Sequence, residues 1–333
     1  MIRGTRAMLL VDRERTLEDD PEMRSGKPRE SAVMEFEIAQ MLRKIGCDLT
    51  VYAFTTMPRL QKKLASYQPE VVFNVTEHIG RDRTGDVRIA AALDAAGVAY
   101  TGASPLGLLI CRDKAVSKSI VAQAGVSTPR FTMAPLNVPF PDSLPPLPCL
   151  IKPVGLDSSE GIHMASIART REEVCRRIET VHRRYREPAI IEEFIAGVDV
   201  SVGVVETPRL RIMPARQLAI TVTGRRAPVL ASYHVKHDDA YHARWGIRSI
   251  AAKLTPATQR QMIRDIKTIY PLLALRDYAR IDYRLDPEGN LHFIEANPNP
   301  GIQPNSHSGT WAAVSFRDLV TWIVRRALAR RGR

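Results

Sequence analysis

The sequence predicts an α/β protein that opens with a parallel sheet and continues into a smaller α+β unit. Three observations predict it. Short apolar runs alternate with amphipathic stretches through the first third, the signature of strands joined by crossover helices. A proline-rich stretch from Pro129 to Pro148 then interrupts the alternation, as chain crossings between units do. Near the end, Asp286-Pro-Glu-Gly289 separates two apolar runs, a hairpin signal. With 333 residues, of which 44% are hydrophobic, the chain is long enough for more than one core. The boundaries fall at 1–105, 106–190 and 191–333.

In order, Ala7–Val11 reads as a strand and Asp12 to Pro28 as a polar loop. Ser31–Lys44 is expected to be a helix, because Val33, Phe36, Ile38, Ala39, Met41 and Leu42 recur at helical spacing and Gly46 closes it. Leu49–Ala53 and Val71–Val75 read as strands, and Arg59–Tyr67 and Ile89–Ala96 as helices. Asp113–Gly125 is a further helix, and Pro129–Pro148 is expected to hold no regular element. Cys149–Lys152, Ile162–Met164 and Ala189–Ile195 read as strands around a basic helix, Thr170–Tyr185, which Thr170 and Glu173 begin as a capping box. The last third carries strands at Asp199–Val205 and Ile212–Leu218, a polar loop from Thr221 to Trp245, and a helix at Pro256–Leu275. Strands Ala279–Leu285 and Asn290–Glu295 and a terminal helix Phe316–Ala329 complete it.

The formal net charge of +12 invites a nucleic-acid reading, since a basic surface gains affinity by releasing phosphate counterions. The distribution argues against it: arginines are spread along the chain, aromatics are 6%, and the densest basic runs sit on helical segments that read as solvated faces. The four cysteines form no CxxC pair, so neither a disulfide framework nor a zinc site is expected. No apolar run is long enough for a signal peptide core or a membrane span. The expectation is a cytoplasmic enzyme with a small acidic ligand, no nucleic acid and no membrane.

The segment from Arg280 to Asn297 carries the most chemistry. With Pro287 opposite Asn290, Asp282 lies across from Glu295 and Arg280 across from Asn297, all on one face. Opposed carboxylates roughly 5 Å apart repel unless a positive charge lies between them. A divalent cation would resolve the repulsion, and two carboxylates with an amide oxygen are hard ligands suited to Mg²⁺, with Mn²⁺ as a substitute. An acidic surface pair beside arginines is the plainer alternative.

Two further segments point to a nucleotide. A strand ending in Lys152 opens into a loop with Gly155, Ser158, Ser159 and Gly161, where backbone N–H groups and hydroxyls can fold over phosphate while the lysine neutralises charge. It is not a Walker A loop, and a plain surface turn is the alternative. The acidic end of Ile190-Ile-Glu-Glu-Phe-Ile195 can accept from an adenine amino group or ribose hydroxyls, or can simply be surface charge.

Together these residues resemble the ATP-grasp superfamily, and within it the D-alanine–D-alanine ligase family. The landmarks, in order, are Phe73-Asn-Val-Thr-Glu-His78, Gly85-Asp86, Tyr100-Thr-Gly102, Asp113-Lys114, Gly125, Thr128-Pro129, Lys152-Pro153 and Ser158-Ser159, then Glu192-Glu-Phe-Ile-Ala-Gly197, Lys236, Arg280-Ile-Asp282 and Glu295-Ala-Asn-Pro-Asn-Pro-Gly301. The resemblance implies an ATP-grasp fold with an N-terminal open α/β sheet, a central lid and a C-terminal ATP- and Mg²⁺-binding subdomain. It implies an ATP-dependent carboxylate–amine ligase working through an acyl phosphate, with D-alanyl-D-alanine for peptidoglycan as the default product. Another dipeptide or amide, or a non-catalytic ATP-binding protein, are the alternatives. Lys114 and Lys152 match the phosphate-holding lysines, with Ser158 and Ser159 in the lid. Glu192 matches the adenine acceptor beside the Ile195 backbone, and Asp199 stands where the family has a ribose-binding glutamate. Asp282, Glu295 and Asn297 match the Mg²⁺ ligands. Arg280, helped by the Gly301 N–H, matches the group that stabilises acyl phosphate and oxyanion, and Lys236 matches a mobile lysine closing on the γ-phosphate. His78, Ser158 and Ser306 fall where the amino-acid substrates bind. The family often forms homodimers through its N-terminal part.

The chain departs from the pattern in three places. The glycine-rich loop with its serine and glutamate after the first strand is missing, and the text there is Val11-Asp-Arg-Glu-Arg-Thr-Leu-Glu-Asp-Asp20. Glu14, Glu18 and Glu30 are the candidates to replace that glutamate. His237 stands where the family has tyrosine beside Lys236, and Asn-Pro-Asn-Pro-Gly replaces the commoner Asn-Thr-x-Pro-Gly.

Overall fold

The computed structural model describes residues 2–330 except 18, 27, 29, 78, 80, 81, 83, 157–159, 223–238 and 304–308. The first sheet is parallel, with strands β1 (Arg6–Asp12), β2 (Asp48–Phe54), β3 (Val71–Asn74) and β4 (Ala99–Tyr100) in the order β2-β1-β3-β4. It is the open α/β sheet expected, because the apolar run of β1 is buried on both faces. Leu9 and Val11 join Ile38 and Leu42 of helix α1 (Val33–Lys44). Met8 and Leu10 face Leu60 and Leu64 of α2 (Met57–Tyr67) and Ile89 and Leu93 of α3 (Gly85–Ala95). The short helix α4 (Pro105–Arg112) was not anticipated. Its start is nonetheless written in the text, since the Ser104 hydroxyl accepts from the Gly107 N–H and Pro105 occupies the first turn.

Helix α5 (Lys114–Gln123), capped by the Asp113 carboxylate, leads to an antiparallel sheet of β5 (Phe131–Ala134), β6 (Cys149–Pro153), β7 (Ile167–Ala168) and β8 (Ala189–Glu193), ordered β5-β8-β6-β7. Two expectations fail here. The proline-rich stretch does contain a regular element, β5, which is tolerated because its prolines flank the edge strand instead of interrupting it. Ile162–Met164 is not a strand; a single 3₁₀ turn spans Met164–Ser166, and pairing is confined to Ile167–Ala168. The Ser166 hydroxyl accepts from the His163 N–H and donates to the Gly161 carbonyl, local bonds that compete with a ladder. Helix α6 (Arg171–Tyr185) covers the sheet face carrying Cys149, Ile151, Ala189 and Ile191. Lys152 and Glu192, alternating with these residues, lie on the opposite face.

The third sheet contains β9 (Val198–Glu206), β10 (Leu210–Ile212), β11 (Arg216–Ile220), β12 (Ile247–Ala251), β13 (Tyr278–Leu285) and β14 (Leu291–Asn297). Its order is β12-β11-β9-β13-β14, with β10 pairing β9. The single strand expected at Ile212–Leu218 is two strands, broken around Pro214, which has no N–H to give a ladder. The polar stretch ending at Trp245 carries a helix, α7 (Asp239–Trp245), and β12 follows it. Helix α8 (Pro256–Leu272) stops short of Leu275, because Ala274 takes a left-handed conformation (φ 50°) and the Leu275 N–H turns back to the Tyr270 carbonyl. The final helix α9 (Phe316–Arg330) returns to the first core, where Leu319, Val320, Ile323 and Val324 pack with Leu9 and Val11. Its last residue, Arg330, pairs with the fully buried Asp277 and donates to the Tyr100 carbonyl. No helix among the described residues is long and apolar enough to cross a membrane.

Candidate active site

The hairpin β13–β14 sets the frame. Arg280 pairs with Asn297 and Asp282 with Glu295, the register expected, though the chain reaches it differently. The turn is one residue longer: the Asp286 N–H donates to the Asn290 carbonyl, Leu285 faces Leu291, and Pro287, Glu288 and Gly289 span the turn, with Gly289 at a left-handed φ of 88°. A β-bulge between Asp282 and Tyr283 restores the offset. Bulges re-aim side chains, and this one keeps both carboxylates opposite each other while Tyr283 and Phe293 stay in the core. Arg280 grips Asp282, with Nε 3.0 and 3.1 Å from the two carboxylate oxygens and Nη2 2.9 Å from one. Asn297 Oδ1 accepts from the Asn299 N–H at 3.1 Å. Asn299 Oδ1 accepts in turn from Ala103 N–H at 2.8 Å, while the Gly102 N–H donates to Asp277 at 2.9 Å. The loop after β14 is thus fastened to the end of the first sheet. Among the described residues no three His, Cys, Asp or Glu side chains cluster as a metal site, so a cation here would rest on two carboxylates and an amide. That set of hard oxygens fits Mg²⁺.

Behind the hairpin lies a buried ionic group. Glu192 is 2.7 Å from Lys152 Nζ and 3.5 Å from Lys118 Nζ, all three buried. Burial alone would raise the Glu192 pKa, but Lys118 and Lys152 outweigh it and hold the carboxylate ionised, below its ordinary value. Lys118, fully buried, is pushed down to about 8 by burial, with Glu192 opposing the fall. It also donates to Thr128 Oγ1 at 3.2 Å and the Phe293 carbonyl at 3.3 Å, tying α5 to β14. Lys114 Nζ donates to the carbonyls of Val154 at 3.2 Å and Leu156 at 2.5 Å, so it pins the start of the glycine- and serine-bearing loop. Arg284 joins two more of the named residues: Nη1 lies 2.9 Å from Asp199, and Nε donates to the Ile195 carbonyl at 3.0 Å. Gly301 is exposed, its carbonyl accepts from Trp311 Nε1 at 2.9 Å, and a Cβ there would lie 3.7 Å from Met34 Sδ. His78, Ser158, Ser159, Lys236 and Ser306 lie outside the described residues, as does Glu18.

Glu14 and Glu30 are both exposed. The buried carboxylate at this end of the molecule is Glu35, 2% exposed, in the first turn of α1 beside Met34. Its Oε1 lies 4.0 Å from Arg15 Nε, and Oε2 is buried with no hydrogen-bond partner among the described residues. Arg15 also reaches Glu77 at 3.8 Å, and the Glu77 N–H donates to Asp12 at 3.0 Å. Burial, opposed by Arg15, raises the Glu35 pKa from its ordinary 4.5 to about 7, with Glu77 and Asp12 adding to the rise. Asp12 ends β1, and Glu77 follows β3. In the order β2-β1-β3-β4 this is where crossovers leave in opposite directions, the crevice where open α/β sheets bind ligands. The sequence carried a signal for both missed residues. Glu35 occupies an apolar position in the spacing Ala32, Ile38, Ala39, Leu42, and Lys118 lies four residues after Lys114 on the inner face with Val121.

Comparison with known proteins agrees with this fold. Residues 143–325 match the family described as the D-ala D-ala ligase C-terminus. A D-alanine–D-alanine ligase of Acidiphilium cryptum is 29% identical over 303 residues, 88% of this chain and 92% of that one. Among solved structures, the D-alanine–D-alanine ligase of Bacillus anthracis complexed with ATP superposes with a TM-score of 0.71 at 17% identity, covering 99% of each chain. The VanG D-Ala:D-Ser ligase of Enterococcus faecalis gives 0.68 at 16% identity, covering 97% of this chain and 100% of that one.

Proposed function

The chain belongs to the D-ala D-ala ligase C-terminus family, and from that premise we propose that it is an ATP-dependent ligase of the D-alanine–D-alanine ligase type. It joins a carboxylate to an amine with release of ADP and phosphate, and its product is a dipeptide for peptidoglycan made in the cytoplasm. The observation that carries this reading is the β13–β14 register, which opposes Asp282 to Glu295 and Arg280 to Asn297 on one face.

The reaction is phosphoryl transfer followed by acyl transfer. A substrate carboxylate oxygen bonds to the γ-phosphorus as the bond to ADP breaks, and the amine then forms the new C–N bond as phosphate leaves. Such chemistry needs positioning and charge stabilisation more than covalent help from the protein. Asp282, Glu295 and Asn297 are the residues that would hold Mg²⁺, which supplies charge neutralisation for the phosphates when bound. Lys152 and Lys118 set a positive potential along the nucleotide phosphates while Glu192 keeps them charged and in place. Lys114 holds the loop that carries Ser158 and Ser159, and Lys236 closes on the γ-phosphate. Ile195, Asp199 and Glu192 form the adenosine end. Arg280, now spent on Asp282, turns to the acyl phosphate and the oxyanion, with the Gly301 N–H beside it. His78 and Ser306 contact the amino acids.

In place of the missing glutamate we assign Glu35 to the substrate ammonium. What supports it is the carboxylate oxygen without a partner among the described residues, buried at the crevice one residue after Met34, whose sulfur lies against Gly301. The test is phosphate release from Mg-ATP with D- and L-amino acids, D-lactate and small amines, with mass spectrometry of the products. D-alanine alone giving the dipeptide is the expected result. Turnover with another pair would retain the ligase chemistry and replace the product, and binding of ATP without turnover on any substrate would refute the ligase reading.

A further inference from the structure

On the far side of the second sheet from Lys152 and Glu192, a cleft of about 580 Å³ opens between α6 and the segment leading through β7. Its volume suits a small molecule, and its walls are cationic. Arg169 enters from the end of β7, and Arg176, Arg177 and Arg184 from α6, with His163 and Thr180 between them. Arg176, Thr180 and Arg184 recur at a spacing of four and so share one helix face. Glu173 is the carboxylate among the lining residues, and its Oε2 already accepts from the Arg169 N–H at 2.6 Å.

Arg177 makes the cleft more than a solvated basic face. It is 6% exposed; Nη2 donates to Ser166 Oγ at 3.0 Å and to the Gly161 carbonyl, while Nε is buried without a partner among the described residues. Arginines at this density repel one another, and burial already lowers the Arg177 pKa. A multivalent anion removes that cost, and guanidinium forks match phosphate oxygens in pairs.

We propose that this cleft is a second anion site, outside the nucleotide site, that binds a small phosphate-bearing molecule through Arg169, Arg176, Arg177 and Arg184. The concave wall and the single buried guanidinium favour a compact di- or triphosphate group over the backbone of an extended nucleic acid. The site does not depend on the ligase reading, because it draws on none of those residues.

The experiment is calorimetric titration of the full chain with inorganic diphosphate, alongside two variants and a fluorescent ATP analogue. Arg176→Gln with Arg184→Gln, both exposed positions, is expected to weaken diphosphate binding about tenfold or more and to leave the analogue's affinity unchanged. Lys152→Ala is expected to do the reverse. Diphosphate binding that survives the double substitution, that vanishes in Lys152→Ala, or that is not detected at millimolar concentration overturns the proposal. So does a single-stranded oligonucleotide that binds through the same arginines more tightly than diphosphate.

Discussion

Glu35→Gln separates the stability and the function of one buried carboxyl. Folded Glu35 keeps its proton to about pH 7, whereas an unfolded glutamate loses it near 4.5. Between those values the folded state binds the extra proton, so stability falls as pH rises through the window and is lowest above it. The gap of about 2.5 pK units, at about 1.4 kcal/mol each, corresponds to about 3 kcal/mol. Glutamine carries no charge at any pH, so the variant escapes this penalty. Relative to wild type, Glu35→Gln is expected to gain up to about 3 kcal/mol between pH 4.5 and pH 8.5. Urea midpoints across that range, converted with each protein's own slope, measure it. The same substitution removes the proposed partner of the substrate ammonium, so kcat/KM for the amino acid should fall about tenfold or more, as loss of a charged hydrogen bond does. Parallel stability curves for variant and wild type would refute the buried-acid reading. An unchanged kcat/KM for every amino acid tested would refute the ammonium assignment.

Glu295→Gln removes one of two anionic ligands and should reduce Mg-ATP turnover by about a hundredfold or more, read as phosphate release; normal turnover would discard the metal set. Lys118→Met leaves Glu192 with one lysine in a buried site, a loss expected to cost about 3–5 kcal/mol in denaturant unfolding, and an unchanged midpoint would show that Lys118 does not share the Glu192 charge. Gly102→Ala places a Cβ 2.4 Å from Asn299 Oδ1 at a φ of 88°, so it should lower kcat by displacing the loop whose Asn299 N–H holds Asn297 while ATP binding persists; wild-type kcat would show that the fastening is incidental.

What could be read in the sequence was what periodicity controls. The first sheet was legible because β1 and β3 are buried on both faces and read as unbroken apolar runs. β4, only two residues long, offers no pattern to read. β5 was hidden by its own flanking prolines, and Ile162–Met164 looked like a strand although bonds local to Gly161, His163 and Ser166 govern it. At the site, the Asp282–Glu295 pairing was predicted from an assumed turn. It holds because a longer turn and a bulge cancel, two departures that pairing rules alone do not reveal. Glu35 and Lys118 were overlooked for the same reason: each is a charged residue at an apolar position, and only packing shows that the charge is kept inside.

The return of α9 to the first core has a consequence during synthesis. Leu9 and Val11 are made long before part of their cover, Leu319 to Ala327, and Arg330 closes on Tyr100 and Asp277 from a segment equally distant in the sequence. Contacts this distant form late. The first sheet therefore waits, with one face open, until α9 has been made, and nascent chains should be clients of whatever holds exposed apolar surface in the cell. Chains ending at residue 315 are expected to be cut within residues 6–100 under brief proteolysis that spares the full chain; equal resistance would mean the first sheet completes itself without its last helix.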